Sequence, residues 1–291
     1  MKVVISIPAY NEEKTLPGVI KEINNTMSKT KYNYSILVLD DGSTDNTVIA
    51  VKKLGAIVYS NYNNMGLAET FKHEIKKCLE LKADIIVHTD ADGQYPAEYI
   101  PKLISEVEAG YDLVLGSRFL DKNNVMSFTK KIGNKAFARV LSKLLRIKLT
   151  DTTTGFRAFN KSVASSINFI NTFTYTQEQI IKAVKQDFRI KEISIIPRKT
   201  RDSRLFKNPL QYAIKAWINI LRIYRDYEPL KFFGKIGLTL IFLGIVTGSY
   251  LLYLFLAYGR IGHAPLTILT MLLIIAGIQI VSFGFLADMR K

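Results

Sequence analysis

Cysteine is nearly absent from this 291-residue chain. Cys78 stands alone, so no intrachain disulfide can form, and nothing in the sequence points to an oxidising compartment. It shares a helical face with Leu67, Phe71 and Ile75, which reads as core packing, the usual fate of a free cysteine. His73, His88 and His263 are scattered, with no cysteine or second histidine at metal-ligand spacing, which argues against zinc. No Gly-x-Gly-x-x-Gly follows the first apolar segment, and no Gly-x-x-x-x-Gly-Lys-Ser/Thr occurs anywhere. A glycine-rich loop is therefore not what would cradle a nucleotide phosphate. The N-terminal apolar run is too short for a signal peptide and reads as a first strand. Acidic residues are in short supply too: 25 Asp and Glu against 40 Lys and Arg leave a formal charge of +15. Such an excess fits an anionic partner, whether nucleic acid, anionic lipid or a phosphorylated substrate. No internal repeat or low-complexity tract occurs.

What is present is an alternation of strands and helices over the first two-thirds of the chain, long enough to bury a core. Apolar, β-branched runs at 3–8, 36–39, 56–59, 85–88 and 112–115 read as strands. Helical periodicity at 12–27, around 48–54, at 67–81 and at 96–108 separates them. Asp45 or Thr44 is expected to cap the second helix. The pattern predicts βαβ units and a mostly parallel sheet with helices on both faces, an α/β fold. Residues 119–131 are polar and aperiodic and predict a mobile loop beside the strand ends. A helix at 132–145, a polar turn at 151–157, a helix at 178–184 and a strand at 190–196 follow.

The chemistry gathers where apolar runs end. Ile85-Ile86-Val87-His88-Thr89 runs into Asp90-Ala91-Asp92-Gly93-Gln94, two carboxylates at i, i+2 on a turn marked by glycine and Pro96. In open α/β sheets, ligands sit outside the carboxyl ends of strands. Two hard oxygen donors there suit a divalent ion that also takes substrate phosphate oxygens. An Asp-X-Asp alone is a weak signal, and a solvated acidic turn is the plainer account. Two further strand ends change the weighing: Pro8-Ala9-Tyr10-Asn11-Glu12-Glu13 after the first strand and Asp40-Asp41-Gly42-Ser43-Thr44-Asp45 after the second. Carboxylates at these two can accept hydrogen bonds from a nucleobase and ribose.

Past residue 208 the character changes. Leu210, Ala213, Ile214, Trp217, Leu221 and Tyr224 share a helical face from which Lys215, Asn219, Arg222 and Arg225 are excluded, predicting a basic amphipathic helix in a membrane interface. Uncharged runs at 236–258 and 264–287 are each long enough to cross a bilayer, and the short connector makes them a hairpin. The basic bulk before it and Arg290-Lys291 after it place both ends in the cytoplasm. Gly244-x-x-x-Gly248 is a candidate helix-packing face. The expected division is a catalytic domain at 1–207, an interfacial helix at 208–231 and a transmembrane hairpin at 232–291.

These motifs resemble glycosyltransferase family 2 with its GT-A nucleotide-binding fold, and within it the dolichyl-phosphate mannose synthase and polyprenyl-phosphate glycosyltransferase group. The resemblance rests on Pro8-Ala9-Tyr10-Asn11-Glu12, Asp40-Asp41-Gly42-Ser43, Asp90-Ala91-Asp92 with Gln94, Gly116-Ser117-Arg118 and Thr154-Gly155-Phe156-Arg157. One departure is Arg201, standing where the family often has glycine before Asp202-Ser203-Arg204. The resemblance implies an inverting transfer of a hexose from a GDP- or UDP-sugar to a dolichyl or undecaprenyl phosphate. It implies a nucleotide-sugar site at Pro8, Ala9, Tyr10, Glu12, Asp40, Asp41 and Ala91, and Mg²⁺ or Mn²⁺ on Asp90, Asp92 and Gln94. Asp92 and Arg118 are the implied catalytic residues, and Arg118, Arg198, Arg204 and Arg157 the implied contacts of the acceptor phosphate. An integral membrane enzyme with a cytoplasmic catalytic domain follows, with self-association through the transmembrane helices as a further expectation. The basic residues cluster near the membrane segments and form no nucleic-acid motif, so nucleic acid is not an expected partner. The alternatives are a family-2 transferase acting on another lipid or a growing glycan, and a catalytically idle membrane accessory protein.

Overall fold

The computed structural model describes residues 1–120, 128–166, 175–199, 218, 221–222, 224–260 and 264–289. They fall into two compact units, Met1–Pro209 and Leu210–Lys291. In chain order the first holds β1 (Lys2–Ala9), α1 (Leu16–Met27), β2 (Asn33–Asp40), α2 (Thr47–Lys52), β3 (Ile57–Ser60), α3 (Leu67–Glu80) and β4 (Ile85–His88). A short 3₁₀ turn at Ala97–Tyr99 leads into α4 (Ile100–Glu108) and β5 (Leu113–Ser117). Then come α5 (Phe128–Leu145), β6 (Arg157–Asn160), α6 (Lys161–Ser166), α7 (Tyr175–Lys185) and β7 (Ile190–Ser194).

The seven strands make one sheet in the order β3-β2-β1-β4-β6-β5-β7. β6 runs antiparallel to β4 and β5, and every other pairing is parallel. The central parallel strands β1 and β4 are mainly apolar because both faces are covered, as parallel sheets require. Successive side chains alternate between faces. Val3, Ile5 and Ile7 of β1 therefore pack with α1 and α4 through Leu16, Ile20, Ile23, Leu103 and Ile104. Val4, with Leu37, Ile86 and Phe159, packs with α3 and α7 through Phe71, Ile75, Cys78 and Ile180. Val3, Val4, Ile5 and Ile7 are fully buried, each contributing roughly 1.5–3 kcal/mol of transfer free energy.

Several boundaries differ from the sequence reading. α1 begins at Leu16 rather than at Glu12, because Glu12–Thr15 form a turn whose Thr15 and Leu16 amides donate to the Glu12 carbonyl. The N-cap of α2 is Asn46, whose side chain makes no capping bond, rather than the expected Asp45 or Thr44; Asp45, one residue earlier, accepts from the Thr47 amide through Oδ1 at 3.0 Å. The expected loop over 119–131 contains the start of α5 at Phe128, and residues 121–127 lie outside the described set. The polar turn at 151–157 leads into β6, a central strand the sequence reading did not anticipate.

The second unit carries α8 (Pro229–Tyr258) and α9 (Ala264–Asp288), two helices long and apolar enough to cross a membrane. α8 starts earlier than the uncharged run because Pro229 fits the first helical position, and it stops at Gly259 in the left-handed region (φ 67°). Gly237, Gly244 and Leu251 of α8 and Thr270, Gly277 and Gly284 of α9 are buried in the seam between the two helices. A Cβ on Gly237 would stand 2.6 Å from the Gly277 carbonyl oxygen. Gly248 lies beside Thr270, so both glycines of the expected packing face meet α9. Of the expected interfacial helix, Ile218, Leu221, Arg222 and Tyr224–Tyr227 are described and helical; most of its other positions lie outside the described residues.

Candidate active site

Six parallel strands deliver their carboxyl ends to one edge of the sheet, and antiparallel β6 begins there. Ala9 is in register with Asp40, and Ser6 with His88, so the ends of β1, β2 and β4 stand side by side. The pairing His88↔Arg157 brings the Thr154-Gly155 turn to the level of Asp90. Arg118 follows β5 and Arg198 follows β7 at the same edge.

The turns after β1 and β2 are stitched together. Asn11, in the left-handed region at φ 54°, accepts from the Thr44 amide at 2.8 Å and donates its own amide to Ser43 Oγ at 2.9 Å. The Glu12 amide donates to Thr47 Oγ1 at 2.8 Å, and Thr15 Oγ1 donates to the Glu12 carboxylate at 2.6 Å. Pro8 and Ala9 are buried under these turns, whereas Tyr10 is 40% exposed. The two acids after β2 divide their work. Asp41 is consumed by the loop at 61–66, its oxygens accepting from Asn61 Nδ2 and the amides of Met65 and Gly66, each at 2.9 Å. Asp40 accepts from the Ser43 amide through Oδ1 at 3.1 Å, leaving acceptor capacity on Oδ2. Gly42 (φ 76°) lets the same loop close, since a Cβ there would stand 2.8 Å from the Asn63 carbonyl carbon.

Asp90 sits at the centre. Burial, reinforced by the neighbouring Asp92 charge, pushes its carboxyl up to about 6, against the opposing pull of His88 and Arg118. Its carboxylate lies against Gly155, where a Cβ would come within 2.8 Å of Oδ1 and 3.2 Å of Oδ2. Asp92 is half-buried and closes its own turn, accepting from the Gln94 amide at 3.0 Å; Ala91 between them is buried. Tyr95 stacks on Phe156 at 5.1 Å and 10°, and its hydroxyl accepts from the Gly155 amide at 3.3 Å. Two like charges held close on a rigid turn, all oxygen donors, are chemistry that suits a hard divalent cation. Asp90, Asp92 and Gln94 would hold it. Among the described residues, no group of three His, Cys, Asp or Glu side chains gathers to enclose an ion by protein ligands alone.

Arg118 is buried and paired. Nε donates to Asp151 Oδ2 at 2.6 Å and Nη2 to Oδ1 at 2.9 Å, and Nη2 also reaches Thr153 Oγ1 at 2.8 Å. Burial alone would raise the Asp151 carboxyl, but Arg118 outweighs it and holds the group below the usual range. Asp151 is positioned by Glu192 of β7, whose carboxylate accepts from the Thr150 amide at 2.9 Å and the Asp151 amide at 2.8 Å. Arg198 forms a two-pronged bridge to Glu22 of α1 (2.6 and 2.9 Å), and its amide donates to the Gln94 carbonyl at 2.8 Å. Glu22 also accepts from the Ala97 amide at 3.0 Å, so one carboxylate ties Arg198 to the turn following Asp92.

Arg157 lies beneath the site rather than in it. It is fully buried, donating to Gln179 Oε1 at 2.9 Å, the Thr176 carbonyl at 3.1 Å and the Thr154 carbonyl. Beside it a second buried group supports the floor: His88 meets Glu74 at 3.2 Å and the Tyr175 hydroxyl at 3.1 Å. Arg204 lies outside the described residues. Sequence reasoning missed Asp151, Glu192, Glu22 and Tyr95. The two partners of Arg118 and Arg198 are separated from them by 33 and 176 positions, which no local pattern reveals.

The model of the family described as Glycosyl transferase family 2 matches residues 4–167, which contain every motif above except the arginines after β7. The chain is 30% identical to a dolichyl-phosphate hexose transferase of Haloferax volcanii, over 64% of this chain and 78% of that one. It is 33% identical to a UDP-N-acetylglucosamine–dolichyl-phosphate N-acetylglucosaminyltransferase of Methanococcus voltae, over 66% and 84%. Among solved structures it is similar to glucosyl-3-phosphoglycerate synthase from Mycobacterium tuberculosis, crystallised with Mn²⁺, UDP-glucose and phosphoglyceric acid. That match has a TM-score of 0.60 at 20% identity, over 75% of this chain and 79% of that one, and it shows the fold. With a family model matching more than half its length, the chain is a glycosyltransferase belonging to family 2.

Proposed function

We propose that this enzyme transfers a hexose from a nucleotide sugar to a membrane polyprenyl phosphate, with inversion at the anomeric carbon. The observation that carries the reading is the convergence, on one sheet edge, of Asp40, the Asp90–Asp92 pair and Arg118. The names of the Haloferax and Methanococcus relatives, which act on dolichyl phosphate, support the acceptor class.

In this reading the nucleoside lies over the turns after β1 and β2. Asp40 offers its remaining acceptor oxygen to the nucleoside, while Asp41 fixes the loop that walls the pocket. Pro8, Ala9, Tyr10, Glu12 and Ala91 line it. A phosphate monoester has a second pKa near roughly 6, so the acceptor is already a dianion at neutral pH and needs no strong protein base. Its oxygen forms the new bond to the anomeric carbon from the face opposite the departing diphosphate. A divalent ion, when bound, supplies charge neutralisation for that leaving group. Asp90 and Asp92 would hold it in a fixed place, and the fixed charge of Arg118 favours an anionic acceptor nearby, with Arg198 and Arg204 as further acceptor contacts. Arg157 serves by holding the Thr154-Gly155 turn against Asp90.

We also propose the division into a catalytic domain at 1–207, an interfacial segment at 208–231 and a hairpin at 232–291, with both ends of the hairpin cytoplasmic. The deciding experiment incubates the purified full chain with polyprenyl phosphate and a panel of labelled UDP- and GDP-sugars, with and without EDTA. A lipid-linked sugar should form with one donor, and chelation should abolish it. Equal transfer to a neutral polyprenol would overturn the phosphate-acceptor mechanism.

A further inference from the structure

Between Asp121 and Asp151 the sequence holds eight Lys and Arg and no acidic residue. α5 lies within that span, and its charge is sorted by face. Asn134, Phe137, Ala138 and Leu141 are buried. Lys135, Arg139 and Lys143 are exposed on the opposite side. They fall within about 80° of one another around the helix and span about 12 Å of its length. Ala136 and Val140, also exposed, flank them. Lysines on other surface helices meet an acid one turn away: Lys72 and Glu69 at 2.8 Å, Lys77 and Glu80 at 2.7 Å, Lys182 and Glu178 at 2.9 Å. α5 has no acidic residue to offer its own cations.

The inner face of the same helix is fastened to the candidate active site. Thr153 Oγ1 donates to Asn134 Oδ1 at 3.3 Å and accepts from Arg118 Nη2 at 2.8 Å. One turn before the end of α5, Ser142 Oγ donates to the Leu149 carbonyl at 3.1 Å and accepts from the Leu149 amide at 3.0 Å. The next residue, Thr150, meets Ser117 Oγ at the end of β5 at 2.6 Å. The segment 149–153 therefore pins α5 at two points to the carboxyl edge of the sheet, beside Arg118. The helix is a bracket, with the Arg118 cluster on one side and a row of cations on the other.

We propose that the outer face of α5 rests on the anionic headgroup layer of a membrane and so holds Arg118 near the height of a lipid phosphate. The inference rests on the polyprenyl-phosphate reading and adds to it a membrane contact made by the catalytic unit itself. Lys and Arg lay their stems along apolar surface while their charged tips reach outward, and small apolar neighbours such as Ala136 and Val140 suit the same layer. Each Lys or Arg beside an anionic leaflet is worth about a fivefold bias, so three together give about a hundredfold. No aromatic residue interleaves the row, as base stacking would require, so a nucleic acid is the poorer fit.

The test uses the full chain reconstituted in phosphatidylcholine vesicles with and without phosphatidylglycerol. Cys78 is buried, so a single introduced thiol carries the label. A fluorophore on Val140→Cys should be quenched by headgroup-nitroxide lipid when phosphatidylglycerol is present. It should lose most of that quenching in about 1 M salt, where the screening length falls to about 3 Å. The same fluorophore on Lys29→Cys, exposed in the turn before β2 at the opposite edge of the sheet, should not respond. Adding Lys135→Gln, Arg139→Gln and Lys143→Gln together should abolish the Val140→Cys quenching and lower transfer to long-chain polyprenyl phosphate about tenfold. Transfer to a short, water-soluble polyprenyl phosphate should stay within about twofold, since exposed substitutions of this kind leave the fold intact, as circular dichroism checks. Absence of quenching in anionic vesicles, or quenching that survives in the triple variant, would overturn the proposal. So would binding of labelled RNA by this face in preference to vesicles. Quenching needs no turnover, so docking without sugar transfer would count against the acceptor reading, and transfer without docking against this contact.

Discussion

Replacing Gly155 with alanine would put a methyl carbon 2.8 Å from Asp90 Oδ1 and 3.3 Å from its Cγ. Ordinary carbon–oxygen contact lies about half an ångström further out, so either the Asp90 carboxylate or the turn before β6 must move by about that much. The backbone of Gly155 is outside the left-handed region, so alanine meets no conformational barrier and the whole effect is steric. Overpacking of this kind costs about 1–3 kcal/mol, equivalent to a melting shift of a few degrees for a unit of this size. The larger effect falls on function. A misplacement of about 1 Å at a reacting centre can cost about 10²-fold, so half of that predicts roughly a 10-fold loss of transfer, with weaker binding of the metal–nucleotide complex. Gly18→Ala is the control: nothing lies within 4 Å of its Cβ position in α1, and it should leave transfer unchanged. Rates of lipid-linked sugar formation, with circular dichroism melts, check both. Parental activity in Gly155→Ala would refute the claim that Asp90 is positioned by contact with this turn.

Other outcomes follow from the same edge of the sheet. The raised Asp90 group should make divalent-ion affinity increase with pH up to about 6 and then level off; a flat profile by calorimetry between pH 5 and 7 would contradict this. The sign for stability is opposite: a carboxyl raised from 3.8 to about 6 stabilises the ion-free fold at low pH, and that contribution fades as pH rises through this window. Asp41→Asn keeps one oxygen to accept from the Met65 amide but turns an NH2 toward the Gly66 amide, so nucleoside diphosphate binding should weaken by about tenfold, at about 1–3 kcal/mol for the one unsatisfied group. Arg118→Lys and Asp151→Asn should each destabilise the fold, and their double mutant should cost about 1–3 kcal/mol less than the sum, read by urea unfolding. Strict additivity would show that the pair is not coupled.

Three strand ends were legible because apolar runs of strand length stopped abruptly at acids, a pattern local in the chain. The bilayer-length helices were legible for the same reason. β6 was not, since Arg157-Ala158-Phe159-Asn160 is four residues long and opens with a buried arginine, which no strand pattern anticipates in the middle of a sheet. Its charge is tolerated because carbonyls and Gln179 receive donors from both of its terminal nitrogens, Nη1 and Nη2. Asp151 was visible as an acid in a polar turn, but its partner Arg118 could be found only once β5 and the turn before β6 were brought together. Gly155 was quoted as part of a motif, yet its reason, a carboxylate pressed against its backbone, exists only in three dimensions.

The strand order also sets a timetable. β1 to β4 are neighbours in the sheet and complete within the first 88 residues, so a chain leaving the ribosome can assemble this half of the sheet from nearby segments. β5 comes next in the chain but has no neighbour in that half, because β6 must stand between it and β4. Until residues 157–160 and 190–194 arrive, Asp90 lacks the Gly155 wall, and Asp151 lacks the Glu192 brace. On the proposed reading, synthesis therefore produces the donor-side platform first and closes the acceptor side last, shortly before the two long apolar helices emerge.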